Sequence, residues 1–567
     1  MKVSDYVVDF LVSKGITDVF GYPGGMLTHF MDSLYKNKEL IRSHTNYHEQ
    51  ASSFSACAYA QVTGKPGVAF ATSGPGATNL VTGICNAYFD TIPTIFITGQ
   101  VNTNESKSGL AVRQKGFQET DIVSMVKECT KYAVYVKSAD DIRYELEKAY
   151  SLCMSGRKGP VLLDIPMNVF RQDIDPTTLK GYLNETDLEL RSVELEKMMS
   201  LISSSKRPCI IAGSGLKISN QVEAFRTLVE KLQIPVVTSM LAFDCMRSDS
   251  NFNYGFIGAY GHRYANFIVE KSDLIISLGS RLDVRQVGGK VENFAHQAKL
   301  IRVDLDQDEF SNKIKNDELQ IKADLKDLIP LLNEFKSFPS KKIQWLKVCD
   351  EIMAKLKDKD LQKANIIIKE ISKSIPDKVM ITTDVGQNQV WVAQSFITKP
   401  NQKVLFSGGH AAMGYSLPAA IGAYYASQGP VFSFNGDGGI QMNIQELQFV
   451  SREKLPIKIF ILNNRSLGMI THFQEMYFDS KYAMTTENEG YSTPDFEKIA
   501  YAYDLKYTKI ASLSDVGSLH LSDGLPEIIE IKLDNLTYVY PKLEFGKPNQ
   551  DQEPRIDRDL YNYLMSL

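Results

Sequence analysis

The chain has 567 residues, of which 43% are hydrophobic and 23% charged, and its formal net charge is −4. These are ordinary globular values, and the length predicts about three domains. The mild acidic balance gives no reason to expect a nucleic acid or an anionic membrane as a partner. Seven scattered cysteines without a CxxC pair, no signal-peptide pattern and no membrane-spanning apolar segment predict a cytoplasmic protein with reduced thiols.

The N-terminal part alternates helix and strand patterns and predicts an α/β domain over residues 1–170. An amphipathic helix is predicted over 5–15, and strands over 16–21, 67–71, 93–99 and 160–166. Two glycine-rich loops follow strands, one with Pro23 and Gly24 and the other running from Thr72 to Asn79. A plain turn would explain either loop alone, and Glu49, which begins a helix, would alone be a partner for the helix dipole.

Polar segments at 171–195 and 335–342 are expected to link this part to two further α/β domains. The middle domain spans 190–335, with strands predicted over 209–213, 235–237, 274–279 and 299–304. Gly213-Ser214-Gly215 follows its first strand, where an ordinary tight connection is the simpler interpretation of a lone Gly-x-Gly. The third domain spans 360–540, and a polar tail covers 541–567. All three domains are predicted to contain doubly wound parallel sheets.

The most informative stretch runs from Asn435 to Met469. A strand over 430–434 precedes Gly436-Asp437-Gly438-Gly439, a helix is predicted over 441–450, and a strand over 455–462 ends at Asn463-Asn464. In such a parallel unit, Asp437 and Asn464 follow strands at the sheet edge where ligands bind. Both offer oxygen, which suits Mg²⁺, and the glycines let backbone N–H groups approach an anion. A turn explains Gly-Asp-Gly alone, but the combination predicts a diphosphate held through a divalent metal.

This stretch resembles the signature of thiamine diphosphate enzymes, in which Gly-Asp-Gly is followed by a helix, a strand and Asn-Asn. The resemblance implies that Asp437, the Asn464 side chain and the Ser466 carbonyl bind Mg²⁺. His48-Glu49-Gln50, the Thr72–Asn79 loop and Phe117-Gln118-Glu119 resemble the pyrimidine-binding domain of the acetolactate synthase branch. Glu49 would then act as acid and base at the aminopyrimidine ring of the cofactor. Met413 would hold the cofactor in a bent conformation.

The same resemblance assigns the remaining contacts. It implies cofactor contacts from Pro23, Gly24, Pro75, Asn79, Gln387, Asn388, Ala411, Gly436, Gly438, Gly439, Gly468 and Met469, and catalytic contacts from Gln118 and Phe473. The middle domain resembles one that holds a structural, non-redox FAD, with contacts implied from Gly213, Gly215, Arg281, Arg285, Asp304 and Asp324. Surface salt bridges are the simpler alternative for the two arginines. Cofactor sites between subunits of a homodimer or homotetramer are also implied.

The resemblance implies pyruvate as donor and carboligation as the outcome, but four positions depart from the family pattern. Phe473 stands for Trp and Ala259 for Met, which enlarges the expected acceptor pocket, while Asn388 stands for His and Ala411 for Gly. The tail and the 279–286 segment are similar to relatives that join a two-carbon unit to a nucleotide-activated keto-deoxysugar, as in yersiniose synthesis. The sugar is the favoured acceptor.

Three alternatives stay open. The first is an acetolactate synthase that uses a second pyruvate or 2-oxobutanoate as acceptor, and the second is a flavin-dependent pyruvate oxidase. The third is a catalytically silent homologue, against which the presence of Glu49, Asp437 and Asn464 argues.

Overall fold

The computed structural model describes residues 1–183, 192–335 and 342–567. They form three parallel sheets of six strands, each with helices on its faces, which confirms the predicted α/β class. The sheets lie inside the three predicted domain ranges, whose boundaries stay predictions. Segments 184–191 and 336–341 of the two expected linkers lie outside the described residues. Within the described ranges, no helix combines the length and the apolar composition needed to cross a bilayer.

The first sheet is built by the N-terminal part of the chain. Its strands are β1 (Asp18–Gly21), β2 (Arg42–Thr45), β3 (Gly67–Ala71), β4 (Thr94–Gln100), β5 (Tyr132–Tyr135) and β6 (Val161–Pro166). Its helices are α1 (Val3–Ser13), α2 (Thr28–Lys36), α3 (Glu49–Thr63), α4 (Pro75–Asn79), α5 (Val81–Phe89), α6 (Ile122–Val126), α7 (Ile142–Met154) and α8 (Met167–Phe170). The strand order is β2-β1-β3-β4-β6-β5 with parallel pairing throughout. Strands β3, β4 and β6 are buried at every position, as their apolar runs predict for a sheet covered on both faces.

The middle sheet has a different order. Its strands are β7 (Pro208–Ala212), β8 (Val236–Thr238), β9 (Asn253–Phe256), β10 (Leu274–Leu278), β11 (Lys299–Asp304) and β12 (Leu319–Lys322). The surrounding helices are α9 (Ser192–Ser204), α10 (Gly215–Ile218), α11 (Val222–Leu232), α12 (Arg263–Lys271), α13 (Val284–Val287), α14 (Leu325–Glu334) and α15 (Ile343–Leu356). The order β9-β8-β7-β10-β11-β12 reverses direction between β7 and β10, and such a reversal opens a ligand crevice at the strand ends.

The third sheet repeats the order of the first. Its strands are β13 (Met380–Thr383), β14 (Lys403–Phe406), β15 (Val431–Gly436), β16 (Ile457–Asn463), β17 (Lys506–Ile510) and β18 (Glu527–Lys532). Its helices are α16 (Lys363–Ser374), α17 (Gln387–Ser395), α18 (Ser416–Ser427), α19 (Asp437–Met442), α20 (Leu447–Arg452), α21 (Gly468–Tyr477) and α22 (Phe496–Ala502). The last helix, α23 (Arg558–Ser566), packs against α12 of the middle domain. The order is β14-β13-β15-β16-β18-β17, so this sheet and the first have the same topology.

The helix predicted over 441–450 is wrong in its bounds. Helix α19 ends at Met442, a 3-10 turn covers Ile444–Glu446, and α20 begins at Leu447. Asn443 breaks the helix because its backbone leaves the helical region (φ −135°) and its amide donates to the Gly414 carbonyl at 2.8 Å. Met442, which lies at helical spacing from the apolar Leu447 and Val450, is 55% exposed.

The first and third domains share an apolar core inside one chain. Helices α3 and α18 cross closely, and a Cβ at Gly422 would overlap the backbone of Ser55. The Ser55 hydroxyl donates to the Pro418 carbonyl at 2.8 Å, so the crossing is also hydrogen-bonded. The small residues at the start of α3 are therefore explained by this close packing.

Candidate active site

Three oxygen atoms converge where β15 and β16 end. With the amide oxygen of Asn464 facing its neighbours, it lies 3.3 Å from Asp437 Oδ2 and 3.0 Å from the Ser466 carbonyl oxygen. All three atoms are hydrogen-bond acceptors, so the arrangement is repulsive without a cation between them. Octahedral Mg²⁺ with ligands at about 2.1 Å places adjacent ligand oxygens about 3 Å apart. The donor set therefore fits Mg²⁺, as the sequence predicts.

The Asp437 carboxylate is fixed by two hydrogen bonds. Its Oδ1 accepts from the Tyr491 hydroxyl at 2.8 Å, and its Oδ2 accepts from the Arg465 backbone N–H at 2.7 Å. Burial raises the pKa of Asp437 to about 6, and the hydrogen bonds act in the opposite direction. A cation beside the carboxylate would favour its ionised form.

The three glycines of the 436–439 segment pack closely against their neighbours, and Gly439 is the most restricted. A Cβ at Gly436 would lie 3.3 Å from Asn388 Oδ1, one at Gly438 would lie 2.9 Å from a Leu467 methyl carbon, and one at Gly439 would lie 2.6 Å from Asp384 Oδ1. The loop therefore lies directly against the ends of β13 and β16. No larger residue fits at Gly439 without displacing a buried carboxylate.

Gln387 offers a buried donor beside the oxygen cluster. Its Oε1 accepts from the Asn464 amide at 3.1 Å, and Gly468 packs directly against the same side-chain amide. Its Nε2 is buried without a hydrogen-bond partner among the described residues. An unpaired buried N–H group is unfavourable, and an anionic oxygen at this position would satisfy it. The next residue, Asn388, donates from its amide to the Asp384 carbonyl at 2.6 Å.

Asp384 positions the loop that carries Met413, and the sequence interpretation missed it. The carboxylate is fully buried and accepts from the backbone N–H groups of Val385 at 2.8 Å, Gly414 at 3.0 Å and Ser416 at 3.1 Å. Burial raises its pKa to about 6, against the effect of these three bonds. A charged residue directly after an apolar strand was the available sequence signal.

The loop places Met413 beside the glycines. A Cβ at Gly438 would lie 3.5 Å from Met413 Cε, so the predicted wedge residue lies next to the predicted diphosphate loop. Ala411 has a left-handed backbone with φ of 56°, a conformation that favours the glycine expected there. Met469, in the first turn of α21, is partly buried.

Glu49 lies at the centre of the first-domain half of the site. It is the first residue of α3 and its side chain is buried. The Asn79 amide donates to Glu49 Oε2 at 2.9 Å, and a Cβ at Gly76 would lie 3.1 Å from Oε1. The two glycine-rich signals therefore converge on one buried carboxylate.

Two further loops close around this carboxylate. Gly24, beside Pro23, packs against the Thr72 side chain, whose methyl group lies next to Gly76. Gln118 has φ of 62° and packs against Gly74, the residue before Pro75 at the start of α4. The predicted first-domain residues are therefore brought together.

Within one chain, the first and third domains are joined by a hydrogen bond close to Glu49. Glu446 accepts from the backbone N–H of Tyr47 at 2.8 Å, next to the start of α3. Among the described residues, no hydrogen bond joins Glu49 to Asp437 or Met413, and its carboxylate accepts from the Asn79 amide of its own domain.

Comparison with known proteins gives the family. Models of the thiamine pyrophosphate enzyme N-terminal binding domain, central domain and C-terminal binding domain match residues 1–125, 195–332 and 384–530. The acetolactate synthase isozyme 2 large subunit of Escherichia coli is 33% identical over 97% of this chain and 99% of its own length. A probable acetolactate synthase large subunit of Methanocaldococcus jannaschii is 35% identical over 91% of this chain and 88% of its own length. The acetolactate synthase large subunit of Lactococcus lactis is 33% identical over 96% of this chain and 94% of its own length. The chain belongs to the acetolactate synthase-like thiamine diphosphate-dependent enzymes.

The membership confirms the predicted enzyme class and its cofactor, thiamine diphosphate. The N-terminal match contains Glu49, and the C-terminal match contains Asp437, Asn464 and Ser466. The group of residues around Glu49 and the oxygen cluster of Asp437, Asn464 and Ser466 form two clusters. They therefore lie in the two regions that match cofactor-binding domains.

This acetolactate synthase-like enzyme has a large cleft at the reversal point of its middle sheet. The cleft has a volume of about 1540 Å³. It is lined by Gly215, Arg281, Arg285, Asp304 and Asp324, and by Lys131, Lys158 and Lys403 of the other two domains. Its size exceeds the roughly 300–1,000 Å³ of ordinary small-molecule sites, and its basic residues suit a phosphate-bearing ligand.

The contacts of the glycines and arginines beside this cleft show which of them need no ligand to explain them. Gly213 packs against the backbone of Gly279, which explains the glycine as a tight connection without a ligand. Arg281 lies 3.9 Å from Asp283, a weak ion pair. Arg285 lies 5.8 Å from the Tyr260 ring and forms no ion pair with the described residues. The salt-bridge alternative therefore does not account for Arg285.

The C-terminal tail joins the two predicted acceptor positions into one wall. The Leu543 N–H donates to the Ala259 carbonyl at 2.7 Å, and the Phe545 ring lies 5.8 Å from the Phe473 ring. The Ala259 N–H donates to the Arg285 carbonyl at 2.8 Å, which connects the wall to the middle-domain cleft. Ala259, Phe473 and the tail thus form one continuous surface.

Proposed function

We propose that this enzyme decarboxylates pyruvate and joins the remaining two-carbon unit to the ketone carbon of a nucleotide-activated keto-deoxysugar. The wall formed by Ala259, Phe473 and the tail carries this proposal. Alanine and phenylalanine occupy positions where the family pattern has methionine and tryptophan, and the smaller side chains leave room for an acceptor larger than pyruvate. The tail contacts support a shared location for both substitutions.

The cofactor contacts follow from the two clusters. When bound, thiamine diphosphate supplies a carbon nucleophile and accepts the electron pair left when CO₂ departs from the 2-oxo acid. Asp437, Asn464 and Ser466 would bind Mg²⁺ and through it the diphosphate, and the free Gln387 N–H group would donate to a diphosphate oxygen. Glu49 would hold a proton at the aminopyrimidine ring. One C–C bond breaks and one forms, and the acceptor oxygen gains a proton.

We further propose that Glu49 acts on cofactor bound by a second subunit. The absence of hydrogen bonds from Glu49 to the metal-side residues among the described residues supports this arrangement. Phe117, beside Gln118, is 79% exposed, and Leu110, Val112 and Met125 are also exposed, as expected for a surface covered by another copy. Mixing an inactive Glu49→Gln chain with an inactive Asp437→Asn chain should restore part of the activity. No restoration in demonstrated hetero-oligomers would refute shared sites.

FAD is the ligand we propose for the middle-domain cleft. The strand order, the cleft volume and the unpaired Arg285 support it. The purified protein should carry flavin absorbance, and Arg285→Met should lower flavin occupancy. Anaerobic incubation with pyruvate should leave the flavin oxidised. Bleaching during turnover would instead support the pyruvate oxidase alternative.

Acetolactate synthesis is the second candidate function, and the names of the relatives favour it. Mass spectrometry of products should be run with pyruvate alone, with 2-oxobutanoate, and with a panel of nucleotide-linked keto-sugars. Efficient acetolactate formation from pyruvate alone would overturn the sugar proposal. The variant with Ala259→Met and Phe473→Trp should shift preference toward the smaller acceptor, and an unchanged preference would contradict the role of this wall.

A further inference from the structure

Lys542 is a buried cation in the tail. Its residue is 5% exposed, and its backbone is fixed by paired hydrogen bonds with Glu553 at 2.9 and 2.7 Å. The next residue, Leu543, is bonded to Ala259. Backbone contacts on both sides therefore hold Lys542 at the proposed acceptor wall.

The ammonium group of Lys542 has no compensating charge. It forms no hydrogen bond or ion pair with residues in the described ranges, and it lies 5.7 Å from the centre of the Phe473 ring. Burial lowers the pKa of Lys542 to about 8. A buried unpaired cation is destabilising, and one aromatic face compensates only a small part of that effect.

The neighbouring ionisable groups do not supply an anion. Burial, and then Lys542 itself, lower the pKa of His472 to about 3, so this imidazole is neutral at physiological pH. The Glu475 carboxylate accepts from the Tyr482 hydroxyl at 3.0 Å and also from the Tyr538 hydroxyl. The environment of Lys542 is therefore aromatic, and no anion of the described residues forms a hydrogen bond or an ion pair with its ammonium group.

We propose that Lys542 binds an oxyanion of the acceptor substrate and so selects anionic acceptors. The inference rests on the proposed carboligase function. This buried cation supplies the positive charge that such an oxyanion needs, and the Phe473 ring and the Leu543–Ala259 contact place it beside the two positions proposed to set pocket size. The oxyanion is either a phosphate of a sugar nucleotide or the carboxylate of a 2-oxo acid, which share this chemistry.

Steady-state kinetics of the full-length enzyme with its cofactors tests this role. Lys542→Met keeps the length of the side chain without its charge, and Lys542→Arg restores the charge. Lys547→Met, in the same tail but outside the aromatic cluster, is the control. Lys542→Met should raise the KM for an anionic acceptor by roughly 10- to 100-fold, with a smaller change in kcat, and Lys542→Arg should recover most of it.

Two kinetic outcomes would overturn the proposal. An equal loss with a neutral acceptor such as acetaldehyde would mean that Lys542 only supports packing. A rise in the KM for pyruvate as donor, without a change in the KM for the acceptor, would mean that Lys542 binds the carboxylate of the donor and not an oxyanion of the acceptor.

Chemical labelling supplies a test that does not depend on turnover. The acetylation rate of Lys542, measured by mass spectrometry relative to Lys547, should fall in the presence of the ligand that it binds. Protection by uridine diphosphate would identify a phosphate, and protection by 2-oxobutanoate a carboxylate. If the wild type releases no CO₂ from pyruvate, the proposed function fails, but the labelling still decides the oxyanion site. No protection by either compound would overturn it.

Discussion

Replacement of Asp384 by asparagine should loosen the loop that carries Met413. Asp384 Oδ1 accepts from Val385 N and Gly414 N, and Oδ2 accepts from Ser416 N at 3.1 Å. An asparagine whose amide oxygen takes the place of Asp384 Oδ1 keeps the bonds from Val385 and Gly414, but the asparagine NH₂ group then faces the Ser416 N–H. One buried donor loses its acceptor, which costs about 1–3 kcal/mol.

Part of this loss is offset because a neutral amide avoids the burial of a charge. Burial raises the pKa of Asp384 to about 6, so the ionised form is already disfavoured by its surroundings. We therefore expect Asp384→Asn to destabilise the third domain by about 1–2 kcal/mol. Asp384→Ala leaves all three donors unpaired and should destabilise it by at least about 3 kcal/mol.

Urea unfolding followed by tryptophan fluorescence measures the effect, because Trp391 is buried in α17 within the third domain. Titration with thiamine diphosphate measures cofactor affinity, which depends on the position of the loop that carries Met413. If the variant loses about 1–2 kcal/mol of binding free energy, the affinity falls by roughly 5- to 30-fold. Asp495→Asn is the matched control, since Asp495 also accepts backbone N–H groups but is exposed to solvent at the start of α22. Equal results for Asp384→Asn and the control would refute the role assigned to Asp384.

Three further outcomes are expected. Glu49→Gln should keep cofactor binding in a titration but reduce CO₂ release by about 10²–10⁴-fold, and retained turnover would reject the proton role. Ala411→Gly should stabilise the fold by about 0.5–1 kcal/mol in urea because φ is 56°, whereas Ala412→Gly should not. His262 accepts from Phe256 N–H and is bonded to the Gln394 carbonyl, and burial lowers its pKa to about 4. The unfolded state therefore binds more protons between pH 6.5 and 4, so about 2 kcal/mol of stability should be lost from pH 7.5 to pH 5, and His262→Gln should flatten that slope.

The sequence was sufficient for features that depend on neighbouring strands. Asp437 and Asn464 follow β15 and β16, which pair directly, so their proximity follows from the parallel unit alone. The bounds of the helix between them were wrong because Asn443 uses its side chain to bond Gly414 and so breaks the apolar period at Met442. A local pattern cannot reveal a side chain whose partner lies on another loop.

Contacts between distant segments could not be predicted. The Asn46 amide donates to Glu446 at 2.9 Å across 400 positions, and neither residue has a local pattern that indicates the other. Lys542 lies in the segment predicted to be a polar tail, yet it is buried, because hydrogen bonds to Glu553 and to Ala259 of the middle domain fix the tail backbone. The proposed acceptor wall is assembled from three separate segments, so only the tertiary structure brings its members together.

Helix α21 connects the oxygen cluster proposed to bind Mg²⁺ with the proposed acceptor wall. Its first residue, Gly468, packs against Gln387 beside the oxygen cluster, and Phe473 lies about 7.5 Å further along the helix axis against the tail. The oxygen cluster is held by buried contacts inside the third domain, whereas the wall is held by contacts of the tail with Ala259 of the middle domain and with Phe473. Substitutions at Phe473 and Ala259 remove none of the hydrogen bonds made by Asp437, so acceptor preference should change while cofactor affinity stays within about twofold. A joint loss of both would show that the helix couples them.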